Sequence, residues 1–254
     1  MTEWRVVPLE THDAYTNMAI DEAVSEGVSE SDGRLRSPPT VRFYRWKPSA
    51  ASIGYFQSLR DEVDVERCDE DGVDYVRRRT GGGAVYHDYE GEVTYSVVGP
   101  VECFPDDLTE SYRQICGRVI DALSELGIDS EFEPVNDIVT DGKKVSGNAQ
   151  TRRKGVLLQH GTVLHDVDPE EMFTYLRPEV DKVSDKVVES VRERVTSVVD
   201  ERGGGSVDET YEALRTAFET GRETYEGGLT DEELDRAHEL VGERYSSDGW
   251  NFMK

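Results

Sequence analysis

Three consecutive glycines, Gly81-Gly82-Gly83, lie between two runs that read as β-strands, Tyr75–Arg78 and Ala84–His87. Glycine reaches positive φ without penalty and lets a backbone come close to a neighbour or a ligand. The stretch is therefore a loop carried on a β framework. Arg77, Arg78 and Arg79 precede it, and Val85-Tyr86-His87 follow. Successive N–H groups in such a loop can form a nest for an anion, and guanidinium groups fork onto phosphate or carboxylate oxygens. The glycine spacing fits neither a Walker loop nor a dinucleotide fingerprint. A bare glycine run is more often a hairpin turn; the arginines on one side and Val-Tyr-His on the other favour an anion site.

The frame around the loop is mixed. Residues 14–28 read as a helix capped by Asp13, with Met18, Ile20, Ala23, Val24 and Val28 on one face. Val41–Trp46 and Ser52–Phe56 read as strands separated by a turn at Pro48, and Asp61–Asp69 as a short helix. Val93–Val98, Ile138–Val145 and Val156–Leu164 are further strands. Residues 107–126 form an amphipathic helix, with Tyr112, Ile115, Val119 and Leu123 in its stripe. Helices are expected at about 169–176, 184–199, 207–224 and 230–244, with Gly203-Gly204-Gly205-Ser206 as a linker. The pattern predicts an α/β (α+β) fold, a mixed and largely antiparallel sheet flanked by helices. Its expected division is a catalytic domain over residues 1–200 and a glycine-rich linker with a helical tail over 201–254. The 254 residues suffice for one sizeable core.

A second candidate region runs from Asn136-Asp137 through the hairpin signal Asp141-Gly142 to Lys143-Lys144-Val145-Ser146-Gly147. A lysine beside small residues can clamp a phosphate or a carbonyl, although from spacing alone an exposed strand lysine is the better reading. A third is Gln159-His160-Gly161-Thr162, where a lone histidine is more often structural.

Charge bears on the choice. The chain carries 54 acidic and 29 basic residues, a formal net charge of −25. Such a surface stays soluble at high salt, which suggests a salt-adapted, halophilic cytosol, and it argues against nucleic acid as a partner. Eight bases gather in three clusters: Arg77–Arg79, Lys143–Lys144 and Arg152–Lys154. A protein this negative must concentrate positive potential to hold an anion, so these clusters are where the site is expected. Cys68, Cys103 and Cys116 form no disulfide framework and no zinc spacing. Without an apolar leader or a long apolar run, the chain is expected to be cytoplasmic, with no membrane partner. Read from the residues alone, it is an α/β domain with an anionic or nucleotide ligand.

The motifs also support a resemblance. Arg77 through Asp88 resembles the Arg-Arg-x-Ser/Thr-Gly-Gly-Gly-Ala-Val-x-His-Asp signature of lipoate–protein ligases. Lys144-Val145-Ser146-Gly147-Asn148-Ala149 is similar to the family's Lys-x-Ser-Gly-x-Ala, Gln159–Leu164 to its His-His-Gly-Thr-Leu-Leu, and Ser190–Val195 to a later Ser-Val-x-x-Arg-Val. The likeness spans about residues 14–199. It implies the catalytic-domain fold shared with biotin ligases and an ATP-dependent lipoate–protein ligase, with lipoate as substrate. Lipoate would be activated to lipoyl-AMP and passed to a lysine of a lipoyl carrier domain, on a dehydrogenase acyltransferase subunit or a glycine-cleavage H protein. ATP and Mg²⁺ would be the cofactors.

By the same resemblance Lys144 is the catalytic residue, stabilising charge in both steps by roughly 3–4 kcal/mol. Arg78, Gly83, Ala84, Val85, Tyr86, Asn136, Asp137 and Lys144 would bind ATP, with Asp137 near the metal. Arg78, Gly82, His87, Lys144 and His160 would bind lipoate. The chain looks like an archaeal-type ligase without the bacterial accessory domain, whose place a separate accessory subunit would take.

The rival is an octanoyl or lipoyl transferase acting through a cysteine thioester and without ATP. The stretch matching its nucleophile, Ser130-Glu131-Phe132-Glu133-Pro134, has no thiol, and Asn136-Asp137 points to the ligase. A biotin ligase is disfavoured because its Gly-Arg-Gly-Arg loop is not present. A degenerate, non-enzymatic subunit is disfavoured because Lys144 and the glycine loop both are.

Overall fold

The computed structural model describes residues 3–29, 37–177 and 194–254. The chain begins with β1 (Trp4–His12), α1 (Ala14–Val28), β2 (Thr40–Trp46) and β3 (Ala50–Ile53). Two short helices, α2 (Leu59–Glu62) and α3 (Val65–Asp71), precede β4 (Asp74–Arg77), β5 (Val85–His87) and β6 (Glu92–Pro100). Then come α4 (Leu108–Glu125), β7 (Glu131–Glu133), β8 (Asp137–Thr140), β9 (Lys143–Arg153), β10 (Val156–Leu164) and α5 (Pro169–Tyr175). The rest comprises helices Val198–Arg202, Val207–Glu219 and Asp231–Leu240, the strand β11 (Thr224–Glu226), the π-helical segment Val241–Tyr245 and the short terminal helix Asp248–Asn251.

The large sheet has the order β11-β1-β2-β6-β10-β9-β8-β7, and β4-β3-β5 form a small second sheet. β1 runs parallel to β2 and to β11; the pairs from β2 to β7 are antiparallel. The expected mixed, largely antiparallel sheet flanked by helices is what forms.

Alternation along the central strands divides the molecule into two faces. Phe43, Tyr95, Leu157 and Val163 face α4 and helix Val207–Glu219. Tyr44, Trp46, Val98 and Leu158 face α1 and helix Asp231–Leu240. Polar residues break the second face at Thr94, Ser96, His160 and Thr162, all buried, and the functional site lies there.

Several elements differ from expectation. β1 was unforeseen because Pro8 interrupts its apolar run; its pairing with β2 shifts register between Val7 and Glu10, where a proline that cannot donate is tolerated. The run 138–145, read as one strand, is two strands, and they turn at Asp141-Gly142 as the hairpin signal there indicates. The helix expected over 207–224 stops at Glu219, after which Gly221 adopts φ 73° and the chain enters β11. Most of the expected helix 184–199, with Ser190 and its neighbours, lies outside the described residues.

The C-terminal elements pack into the same body. Arg5 of β1 is 2% exposed, and its guanidinium grips Glu233 in a two-pronged pair of 2.7 and 2.8 Å. Among the described residues no helix is long and apolar enough to cross a membrane. Glu233→Ala would leave the Arg5 charge buried without its counter-ion, which costs about 3–5 kcal/mol; urea unfolding should show a midpoint lowered accordingly with an unchanged slope.

Candidate active site

A cavity of about 270 Å³ opens on the α1 side of the sheet. Its apolar wall comes from Met18, Tyr44, Trp46, Val85, Leu164 and Met172, and its polar end from Arg78, Asn136, Lys144, Asn148 and the glycine loop.

The glycine loop is shaped from beneath. Arg78 is 5% exposed and donates through Nη2 to the carbonyls of Gly81 and Gly83 at 2.9 and 2.6 Å. Its Nη1 donates to the carbonyl and hydroxyl oxygens of Ser52 at 3.1 and 3.0 Å. None of these acceptors carries a charge, and burial lowers the Arg78 pKa to about 10. Gly82 sits at φ 94°, and its carbonyl approaches Gly54 so closely that a Cβ there would lie 2.1 Å from it. The two tight positions, Gly54 and Gly82, fix the loop over the guanidinium.

Two histidines form much of the inner wall. His87 stacks on Trp46 with centroids 4.0 Å apart and planes at 13°. Its Nδ1 meets Glu92 Oε1 at 2.7 Å and its Nε2 meets Ser52 Oγ at 2.7 Å. A carboxylate can only accept, so Nδ1 carries the proton, and the Ser52 hydroxyl donates to Nε2. His160 is held in the same way, by Asp21 Oδ2 at 3.3 Å and Thr80 Oγ1 at 2.7 Å. Burial pulls the His160 pKa below its ordinary range, partly offset by Asp21. Burial alone would raise Asp21, but the His160 hydrogen bond and the Arg42 charge outweigh it and hold the carboxyl low. Both rings line the cavity with both nitrogens engaged.

Lys144 enters from the opposite wall. Its backbone is pinned between Arg194 and Thr196, at 2.7 and 2.9 Å. Its Nζ pairs with Asp137 Oδ1 at 2.8 Å, and the side chain remains 40% exposed. Room for this folded-over lysine comes from Gly147, where a Cβ would stand 2.7 Å from both Cε and Nζ. Asn136 and Asn148 exchange amide-to-carbonyl hydrogen bonds and brace the same corner.

Arg78, Gly82, Gly83, Ala84, Val85, Tyr86, His87, Asn136, Lys144 and His160 therefore meet around one cavity. Asp137 stands behind Lys144 as its ion-pair partner. The three basic clusters do not converge as expected. Arg77 is buried on carbonyls of Gly54, Tyr55, Gln57, Trp250 and Asn251. Arg79 pairs with Glu22 at 2.5 Å, and Arg152 with the carbonyls of Pro105 and Asp106. Among the described residues only Arg78 and Lys144 bring an arginine or lysine to the cavity, because adjacent side chains along the backbone point apart. Sequence reasoning missed Asp21, Ser52, Thr80 and Glu92. Asp21 had a signal, being an acid on the apolar face of α1.

A family model of the lipoyl protein ligase A/B catalytic domain matches residues 13–219. The octanoyltransferase LipM of Kyrpidia tusciae is 38% identical over 100% of both chains. That of Bacillus subtilis is 33% identical over 99% of this chain and 98% of its own. Among solved structures, the bipartite lipoate protein ligase of Thermoplasma acidophilum, described with its E2 lipoyl domain, superposes with a TM-score of 0.87. It is 33% identical, with 99% of this chain and 97% of that one covered.

The curated relatives correct the functional expectation. They are octanoyltransferases along their whole length, so the reading as an ATP-dependent lipoate ligase forming lipoyl-AMP is overturned, and with it the requirement for ATP and Mg²⁺. A transferase receives its acyl group already activated and has no adenylation to perform.

In Gly147→Ala the added methyl presses on the flexible end of Lys144 and meets Asp137 Oδ1 at an ordinary 3.8 Å, so the melting temperature should stay within about 2 °C of the parent. By displacing the ammonium about an ångström it should slow turnover on the order of 10²-fold. Folded His160 resists the proton that the unfolded ring takes near its ordinary 6.5, so stability falls as pH drops through that value. In His160→Gln, thermal melts between about pH 7.5 and 5.5 should show a shallower loss than in the parent.

Proposed function

The chain belongs to the lipoyl protein ligase A/B catalytic-domain family, and from that premise we propose that it is an octanoyltransferase. It moves an octanoyl group from a thioester donor to the ε-amine of a lysine on a lipoyl carrier domain. The carriers are the acyltransferase subunit of a 2-oxoacid dehydrogenase and the glycine-cleavage H protein. The observation that carries this reading is the pairing of an apolar cavity with two cations of different character at its polar end: Arg78, buried and fixed, and Lys144, half-exposed and movable.

An eight-carbon chain lies against Met18, Tyr44, Trp46, Leu164 and Met172, which exclude water from it. Its carbonyl then sits toward Lys144, whose ammonium meets the negative charge that grows on the oxygen as an amine attacks. One well-placed donor of this kind is worth about 3–4 kcal/mol. Asp137 keeps Nζ in place between turnovers, as a positioning residue. Arg78 holds the loop carbonyls inward and, since none of its own acceptors is charged, adds positive potential on that side of the cavity.

The test is octanoylation of a purified lipoyl domain, read by intact mass, from an octanoyl thioester donor with and without ATP. The expected outcome is modification independent of ATP and reduced by about 10²–10³-fold in Lys144→Ala. Modification that needs free octanoate plus ATP and fails with the thioester would overturn the proposal.

A further inference from the structure

We propose that the aromatic and basic surface beside the glycine loop is where the acceptor carrier domain docks, and that it grips a carboxylate-rich face of that domain. The proposal rests on the octanoyltransferase reading and names the surface through which that site meets its acceptor.

Sequence and structure point to this surface separately. Acidic residues number 54 of the 254, yet residues 37–60, 75–87, 142–165 and 249–254 contain none. Strands buried in the sheet account for part of this, since buried positions seldom carry acids. The exposed positions of these stretches lack them too, among them Phe56, Arg60, Gly82, Arg153 and Lys254.

These positions, far apart in the chain, meet in one surface. The Tyr55 ring lies 5.0 Å from that of Phe56 and 5.8 Å from that of Trp250. Phe56 is 72% exposed, more than any other large apolar side chain among the described residues. Cations lie over the rings. Arg153, from the β9–β10 hairpin, covers Tyr55 at 5.0 Å, Lys254 covers Phe56 at 5.0 Å, and Arg60 covers Phe252 at 4.7 Å. Arg244 covers Trp250 at 5.0 Å but is already committed to Glu22. Arg60 and Arg153 are exposed, and among the described residues neither forms an ion pair.

Arg77 ties the segments together. Its guanidinium donates to the carbonyls of Tyr55, Trp250 and Asn251 at 2.9, 3.0 and 2.9 Å, and the Trp250 indole donates back to the Arg77 carbonyl at 2.8 Å. These acceptors are neutral, so a positive charge also lies beneath the rings.

The surface continues into the rim of the cavity. The Tyr55 N–H donates to the Thr80 carbonyl at 2.9 Å, and Gly54 packs against the Gly82 carbonyl. The acceptor amine sits on a four-carbon stem, so its domain must rest against that rim to bring the amine to a carbonyl near Lys144. Aromatic and arginine side chains are what the centres of interfaces favour. On a chain of net charge −25 the cations mark the one orientation in which an acidic partner is attracted.

The test pairs calorimetric titration of an unmodified lipoyl domain into the chain with steady-state octanoylation at varied domain and varied thioester. Arg60→Glu/Arg153→Glu should raise both Kd and KM for the lipoyl domain about tenfold or more. The KM for the thioester and kcat at saturating domain should stay within about twofold. Salt raised from about 50 to 500 mM should weaken binding to the parent and much less to the variant. Arg118→Glu, on α4 across the sheet, should change none of these. Should the double variant unfold, Phe56→Glu carries the same test at an open position. Unchanged binding of the lipoyl domain would overturn the proposal, as would a raised KM for the thioester alone, which would give the surface to the donor. If the parent transfers nothing from a thioester, the octanoyltransferase reading falls and the titration still decides the surface.

Discussion

The carboxylate of Asp21 joins the parts on which the site depends. It is 2% exposed and accepts from Arg42 at 3.2 Å, Tyr44 at 3.0 Å, Ser96 at 2.8 Å and His160 at 3.3 Å. These partners belong to β2, β6 and β10, so one acid on α1 fastens the helix across three strands. A lone buried charge would cost several kcal/mol; here four groups satisfy it, and one of them, Arg42, is a counter-charge. His160 carries the connection onward to Thr80, at the root of the glycine loop. Helix, sheet and loop are thus set by one chain of polar contacts inside an otherwise apolar face.

Two cations follow from that frame, and they are not interchangeable. Arg78 is committed to the loop, since its planar fork meets four oxygens at once and has no freedom left. Lys144 is a flexible point charge held by a single carboxylate over a glycine that leaves it room. A fixed cation shapes a binding surface, and a movable one can follow charge as it develops. That division suits acyl transfer, in which the carbonyl oxygen gains and then loses charge within a turnover.

Much of this was legible in the sequence where periodicity and local chemistry agree. α1 with its Asp13 cap, the long amphipathic α4 and the strand Val156–Leu164 fall where their patterns place them. The loop stood out by its glycine run between arginines and Val-Tyr-His, whereas Lys144 and His160 were singled out by their likeness to family motifs, since spacing alone favoured an exposed lysine and a structural histidine. β1 was hidden by Pro8 at a register shift, and β7 and β11 by having three residues each, too few for alternation to register. The partners Asp21, Ser52, Thr80 and Glu92 became visible only in three dimensions, because their contacts span up to 139 residues of chain. The basic clusters misled for a related reason: adjacent residues on a strand or tight turn point apart, so Arg77, Arg78 and Arg79 have three separate fates. The activity was misjudged because the residues that receive an activated acyl group do not reveal how it was activated.

On the proposed reading, Lys144 polarises the carbonyl of an acyl group delivered already activated. Isotope-edited infrared spectroscopy of a carbonyl-labelled octanoyl thioester, bound to the chain without a carrier domain, addresses it directly. The carbonyl stretch should fall at lower frequency than in water and return toward the value in water in Lys144→Met. An identical stretch in the two proteins would contradict it.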